Sequence, residues 1–227
     1  NLPIRKQLGV LDRTDFDDVK VFRGAGYGGG SLVYGGVLMQ PKEDRFRKVF
    51  PKELDVDQMY SHYYPLAVNE LEASPMPADV LQDDAFRGLR TFIEHGHRAG
   101  LTVQTLNGGV DWDLLKRELS DELKSVTGSG LTVYGSAHGT KKTVDRLYLR
   151  KAEATGLMKI YLQHQISDIA QNADGSYVLT IDHLDESGRV QEIVKLHCRY
   201  LIMAAGSVGT SSALVKARET GSLSRLN

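Results

Sequence analysis

Seven of the thirteen residues at positions 24–36 are glycine, in the order Gly24-Ala25-Gly26-Tyr27-Gly28-Gly29-Gly30-Ser31-Leu32-Val33-Tyr34-Gly35-Gly36. Glycine loses more backbone freedom on folding than any other residue. Such a density is costly unless the chain needs positive φ angles or must lie close against a flat or bulky group. A phosphate or an aromatic ring is the kind of group that glycine backbone receives. The spacing Gly24-x-Gly26-x-x-Gly29 matches the glycine fingerprint of dinucleotide-binding turns. That fingerprint needs a helix opening at the glycines and an acidic residue after a second strand. Gly35, Gly36 and Pro41 leave no room for the helix, and no such strand and acid follow. The fingerprint reading is therefore rejected. A solvated surface loop is the plainer alternative, but Leu32, Val33, Tyr34, Val37, Leu38 and Met39 make the second half apolar, where solvated loops are polar.

The other chemistry-bearing residues offer less. His95 and His97 stand two apart on an expected helix, so they face different ways and make poor joint metal ligands. His138, His164, His183 and His197 fall in loop or strand contexts, with no carboxylate partner that spacing identifies. There is no Gly-x-Ser-x-Gly nucleophile elbow and no Cys/His spacing of a zinc site. Cys198 is the single cysteine, which excludes an internal disulfide. Its neighbours Leu196, Tyr200 and Leu201 make it read as a small buried apolar residue. No catalytic residue and no metal ligand is assigned.

Composition narrows the partners. Of 227 residues, 41% are hydrophobic and 25% charged, ordinary values for a globular protein. A net charge of −1 gives no reason to expect nucleic acid or an anionic membrane. No stretch approaches the roughly eighteen apolar residues of a transmembrane segment. The chain starts at Asn1 with no visible signal peptide, so its compartment is left unassigned.

The elements that must position these residues follow from periodicity and breakers. Residues 1–18 read as a polar approach loop, and Val19-Lys20-Val21-Phe22 as a strand feeding the glycines. A helix is expected over 57–64 and, beyond Pro65, to about residue 73. Its Met59, Tyr60, Tyr63, Tyr64, Val68 and Leu71 are core, or one wall of an apolar cavity. A second helix spans 83–98, with Phe86, Leu89, Phe92 and Ile93 on one face and Gly100 as its C-terminal stop. Residues 101–106 read as a strand and Asn107-Gly108-Gly109 as a turn. Asp111 or Asp113 caps a helix to about residue 124, and Thr143 one that runs through 154. Strands at 158–166, 177–183 and 190–196, with turn signals at Asp174-Gly175 and Ser187-Gly188, form a three-stranded meander. The apolar run 200–204 reads as a central parallel strand. It ends at Gly206-Ser207 and leads into a helix over 209–219.

The segment 23–41, RGAGYGGGSLVYGGVLMQP, resembles the flavin-contacting loop of the sterol-oxidising branch of the glucose-methanol-choline family of FAD oxidoreductases. Gly9-Val10-Leu11-Asp12-Arg13, His138-Gly139, Leu147-Tyr148-Leu149 and the run from Cys198-Arg199-Tyr200-Leu201 to Ala205-Gly206-Ser207 are similar too, in the same order. The resemblance implies an α/β (overall α+β) fold: part of an FAD-binding Rossmann-type domain with a three-stranded β-meander, plus part of a mixed substrate-binding domain. The expected division is 1–41 for the flavin-contacting loop region, 42–140 for part of the substrate-binding domain, and 141–227 for the second half of the FAD-binding domain. Flavin contacts are implied at Gly29, Gly30, Tyr34, Gly35, Val37, Ile166, Gly206 and Ser207.

The implied cofactor is FAD, the implied substrate a sterol or another apolar alcohol, and the implied acceptor molecular oxygen. The family's first glycine fingerprint would precede Asn1 and its catalytic residues would follow Asn227, so the chain reads as an internal portion of an enzyme, inactive by itself. Two positions depart from the family: asparagine is replaced by Tyr34 and methionine by Val37. They keep open a flavin dehydrogenase of the same family acting on another steroid or alcohol. A non-enzymatic binding module is the alternative of a different class.

Overall fold

The computed structural model describes residues 10–223. They divide into two compact units, Arg13–Met158 and the residues from Lys159 onward together with those before Arg13.

The sequence up to Asp15 is not wholly loop: strand β1 (Leu11–Asp15) pairs with β2 (Lys20–Gly24) in a two-stranded sheet. The turn between them closes on a hydrogen bond from Phe16 N to Val19 O. The part of the expected approach loop at residues 1–9 lies outside the described residues. A 3-10 turn, Gly29–Leu32, carries the chain from β2 into β3 (Val37–Leu38). Helix α1 (Glu43–Val49) follows, with acidic residues in its first turn and basic ones in its last, each opposing the helix dipole.

Asp55 caps α2 (Val56–Gln58), accepting from Gln58 N. The helix widens through a π turn, Met59–Tyr63, before α3 (Tyr64–Glu70). Pro65 sits in the first turn of α3, so the wider turn lets the helix pass the proline instead of breaking there. Tyr60 and Tyr64 meet Phe46 edge-on and Tyr60 donates to Pro41 O, so this helix's aromatic residues pack against α1.

Strand β4 (Ser74–Pro75) and the short helix α4 (Ala78–Leu81) come next. A 3-10 turn, Asp84–Phe86, capped by Asp83, leads into α5 (Arg87–Arg98). The expected strand over 101–106 does not form. Its neighbour β5 (Asn107–Gly108), expected as part of a turn, is instead the middle strand of an antiparallel sheet ordered β3-β5-β4. The ladder partners Val37, Leu38, Ser74 and Pro75 come from distant parts of the chain, which local turn chemistry cannot foresee.

Asp111 caps α6 (Trp112–Leu119), which stops well short of residue 124. The chain turns at Asp121, whose φ is 61°. A 3-10 turn spans Leu131–Tyr134. The last helix of this unit starts as a π turn, Asp145–Leu149, and continues as α7 (Arg150–Ala154). Thr143 does not cap it, since its hydroxyl is buried without a protein partner.

The second unit is a meander, β6 (His164–Gln171), β7 (Tyr177–Leu184) and β8 (Val190–Cys198), with α8 (Gly206–Glu219) packed on β6. β6 lies six residues further on than the expected start at 158. The turn dictates this: Asn172 N bonds Ser176 O and Gly175 takes a φ of 85°, so pairing must begin at Gln171 and Tyr177. Ile169, Leu179 and Ala217 form its core.

The run 200–204 is not a strand, and Tyr200 and Ile202 are 78% and 89% exposed. An apolar run becomes a buried strand only where neighbours offer ladder partners on both sides. Among the described residues no strand does so. The two three-stranded sheets are antiparallel. Helices and antiparallel sheets are thus mixed in this chain, and the Rossmann-type parallel sheet does not form among the described residues.

Candidate functional site

The glycine loop is held from below. Gly24 and Gly29 approach so closely that a Cβ on Gly24 would sit 2.4 Å from Gly29 O. Tyr34 turns inward: its hydroxyl donates to Lys142 O at 2.6 Å, and it abuts Gly109, where a Cβ would come within 2.2 Å of that oxygen. Burial raises the Tyr34 phenol above its ordinary pKa. Ser31 Oγ donates to Gly28 O and accepts from Val144 N, which fastens the 3-10 turn to the segment before α7.

Two buried ions complete the support. Lys141 is 1% exposed, and its Nζ donates to Leu32 O at 2.7 Å, to Tyr34 O at 3.2 Å and to Thr132 O. Burial pushes its pKa down from the ordinary lysine value. Glu118, also 1% exposed, accepts from Thr140 Oγ1 and from the amides of Val126, Thr127 and Gly128. Burial alone would raise the Glu118 pKa, but the hydrogen bonds from Thr140 and these amides outweigh it and bring it below the ordinary value. Thr140 and Lys141 are consecutive, so one short segment ties α6 and residues 126–128 to the glycine loop.

The upper side is open. A Cβ added at Gly29, Gly30 or Gly35 would meet no atom within 4 Å. Val37 is exposed on β3. Five of the expected contact residues, Gly29, Gly30, Tyr34, Gly35 and Val37, are thereby brought together in the unit Arg13–Met158.

Ile166, Gly206 and Ser207 belong to the meander unit. Ile166 pairs with Ile181 beside an irregularity in β6 and is exposed. Gly206, with a φ of 71°, and Ser207 open α8. Gly206 lies ten residues and Ser207 nine, about 14–15 Å of helix axis, before Lys216, which reaches Ser167 O. The helix thus does not bring them to Ile166.

Glu118, Thr140 and Lys141 were not singled out from the sequence. Glu118 had a signal: it stands three residues after Leu115 on the same face of α6, a carboxylate on an apolar stripe. Thr140 and Lys141 had none, because Gly139-Thr140-Lys141-Lys142-Thr143 reads as a solvated polar segment.

Elsewhere, a pocket of about 390 Å³ is lined by Phe46, Phe50, Leu54 and Val56 with Arg47 and Lys52 among its charged residues. His95 and His97 are exposed on α5. His164 and His183 form a cross-strand pair with rings stacked at 4.5 Å. Cys198 is half-buried. Among the described residues no group of three or more His, Cys, Asp or Glu side chains could hold a metal ion, and no helix is long and apolar enough to cross a membrane.

No protein-family model matches the chain. Among curated proteins, a cholesterol oxidase of Acinetobacter baumannii is 24% identical over 240 residues, an alignment that takes in 99% of this chain and 43% of that protein. The chain therefore spans less than half the length of that relative. This is a distant relationship to an oxidoreductase.

Proposed function

We propose that the chain is part of an FAD-dependent oxidoreductase that oxidises the hydroxyl of a sterol, at the 3β position, or of another apolar alcohol. Molecular oxygen is the acceptor and hydrogen peroxide the product; with a sterol, the ring double bond then shifts from Δ5 to Δ4. The observation that carries this reading is the match to a cholesterol oxidase along 99% of the chain. The glycine loop fits the group: the positions Gly29, Gly30 and Gly35 leave open backbone that a flat ring can approach.

When bound, FAD supplies the acceptor for the hydride. The chain's own contribution is binding and exclusion of water. Gly29, Gly30 and Gly35 present backbone to the ring, exposed Val37 offers an apolar edge, and Tyr34 braces the loop from inside. In the meander unit, Ile166, Gly206 and Ser207 are the proposed contacts for the rest of the cofactor. Residues 42–140 contribute part of the substrate-binding domain, for which a rigid apolar substrate needs apolar and aromatic lining. No residue of this chain is assigned a catalytic role, so the polypeptide alone is expected to be inactive and to hold FAD weakly.

The test is an anaerobic visible spectrum of the native full-length protein before and after cholesterol is added. Bleaching of an oxidised flavin band supports the reading; absence of any flavin band overturns it. A flavin band that cholesterol leaves untouched moves the substrate to another alcohol. Tyr34 and Val37, which depart from the resembling family, favour one second reading, a flavin dehydrogenase with a different acceptor. Stoichiometric peroxide from cholesterol in air would exclude it.

A further inference from the structure

Lys141 Nζ has three carbonyl acceptors, those of Leu32, Tyr34 and Thr132. They take all three N–H bonds of a protonated amine, whereas a neutral amine has only two to give. The geometry is that of an ammonium ion. No carboxylate pairs with it among the described residues. Glu118, the other buried ion of this unit, directs its oxygens to Thr140 and three amides. Lys141 is therefore a buried positive charge faced by the negative ends of carbonyl dipoles and, 5.6 Å away, by the Tyr34 ring, with no carboxylate beside it among the described residues.

A trans peptide points its N–H opposite to its C=O. With Leu32 O held towards Lys141, the Val33 N–H turns away and donates to Gly30 O at 3.2 Å. With Tyr34 O held the same way, the Gly35 N–H also turns away from Lys141. No described group accepts from it, and the space beside Gly35 is free of protein. Gly35 itself is exposed, so its N–H is open to solvent or to a ligand on that face.

We infer that Lys141 is a positioning residue for the loop's ligand: it fixes the Tyr34–Gly35 peptide so that the Gly35 N–H is presented on the open face, and it sets a positive charge with no carboxylate partner beneath that peptide. The ligand class is a flat ring system carrying a hydrogen-bond acceptor that gains electron density on reduction. This deepens the flavin reading above and rests on it.

The experiment compares wild type, Lys141→Met and Lys141→Arg in the native full-length protein loaded with FAD, by redox titration and by amide hydrogen exchange. Loss of the charge makes flavin reduction about tenfold less favourable in Lys141→Met, a fall of about 30 mV for a two-electron couple, while Lys141→Arg stays near wild type. An unchanged potential in Lys141→Met overturns the inference and leaves the flavin reading standing. A fall in Lys141→Arg as large as that in Lys141→Met assigns the effect to lost packing, and also overturns it. A wild-type protein with no flavin band removes the flavin reading and this inference with it. If neither variant folds, exchange in wild type decides: slower exchange at Gly35 on FAD loading supports the inference, and unchanged exchange overturns it.

Discussion

In the meander unit, β6, β7 and β8 satisfy one another's backbone along long ladders, each broken by one irregularity, and Ile169, Leu179 and Ala217 close an apolar core beneath them. In the glycine-loop unit the strands of the β3-β5-β4 sheet are two residues long, and Glu118, Thr140 and Lys141 are as buried as its hydrophobic residues. The meander is held by pattern and area, whereas the glycine-loop unit adds to its apolar residues Phe46, Val56, Val80 and Leu115 a buried polar network around Glu118 and Lys141. Apolar burial degrades gradually as area is lost. A buried ion network fails when one partner goes, because the groups left behind cannot return to water.

That difference sets the expected effects. Glu118→Ala strands three amides and the Thr140 hydroxyl, so the glycine-loop unit should lose about 4 kcal/mol. Trp112 is the chain's single tryptophan and lies at the start of α6, so its fluorescence in a denaturant titration reads this unit. A Trp112 midpoint that does not move would break the comparison. Leu179→Ala should cost the meander about 3 kcal/mol by leaving a cavity. Circular dichroism of the strands should follow that loss while the Trp112 transition stays in place.

Acid should act on the same contrast. The folded Glu118 pKa lies below the ordinary glutamate value of 4.5, so its contribution is full above that value. It is lost as pH falls through the lowered folded value. The Trp112 signal should therefore begin to drop only below about pH 4.5. Glu118→Gln, which does not titrate, should remove this acid step.

Smaller effects sharpen the picture. Asp111→Ala removes the cap of α6 and should cost about 1 kcal/mol in the same fluorescence titration. Asp185→Asn should leave the melting temperature of the meander close to unchanged. Asp185 is half-buried at the β7–β8 turn, and asparagine still offers an oxygen to the Ser187 and Arg189 amides.

The meander was legible because its instructions are local. Asp174-Gly175 and Ser187-Gly188 mark the turns, and the turn at Gly175 fixes the register, so the second and third strands began where expected while the first lies at 164–171 instead of 158–166. The cap of α6 was legible for the same reason, though only as Asp111 or Asp113, and the structure selects Asp111. The strand role of Asn107-Gly108 was not, because its partners lie at Val37, Leu38, Ser74 and Pro75. The run 200–204 taught the reverse: continuous apolar residues specify burial but do not supply the neighbours that make a strand.

The sequence by itself determined the glycine loop, most of the helices and the meander, and the residues that resemble a flavin-contacting segment, since all of these are properties of neighbouring residues. Only the tertiary structure decided that Tyr34 faces inward, that Glu118 and Lys141 are buried, and that among the described residues no protein group accepts from the Gly35 N–H. The physical reason is one of distance along the chain. Lys141 acts on Leu32 and Tyr34 from more than one hundred positions away, and a lysine in a polar segment carries no mark of where its ammonium will be placed.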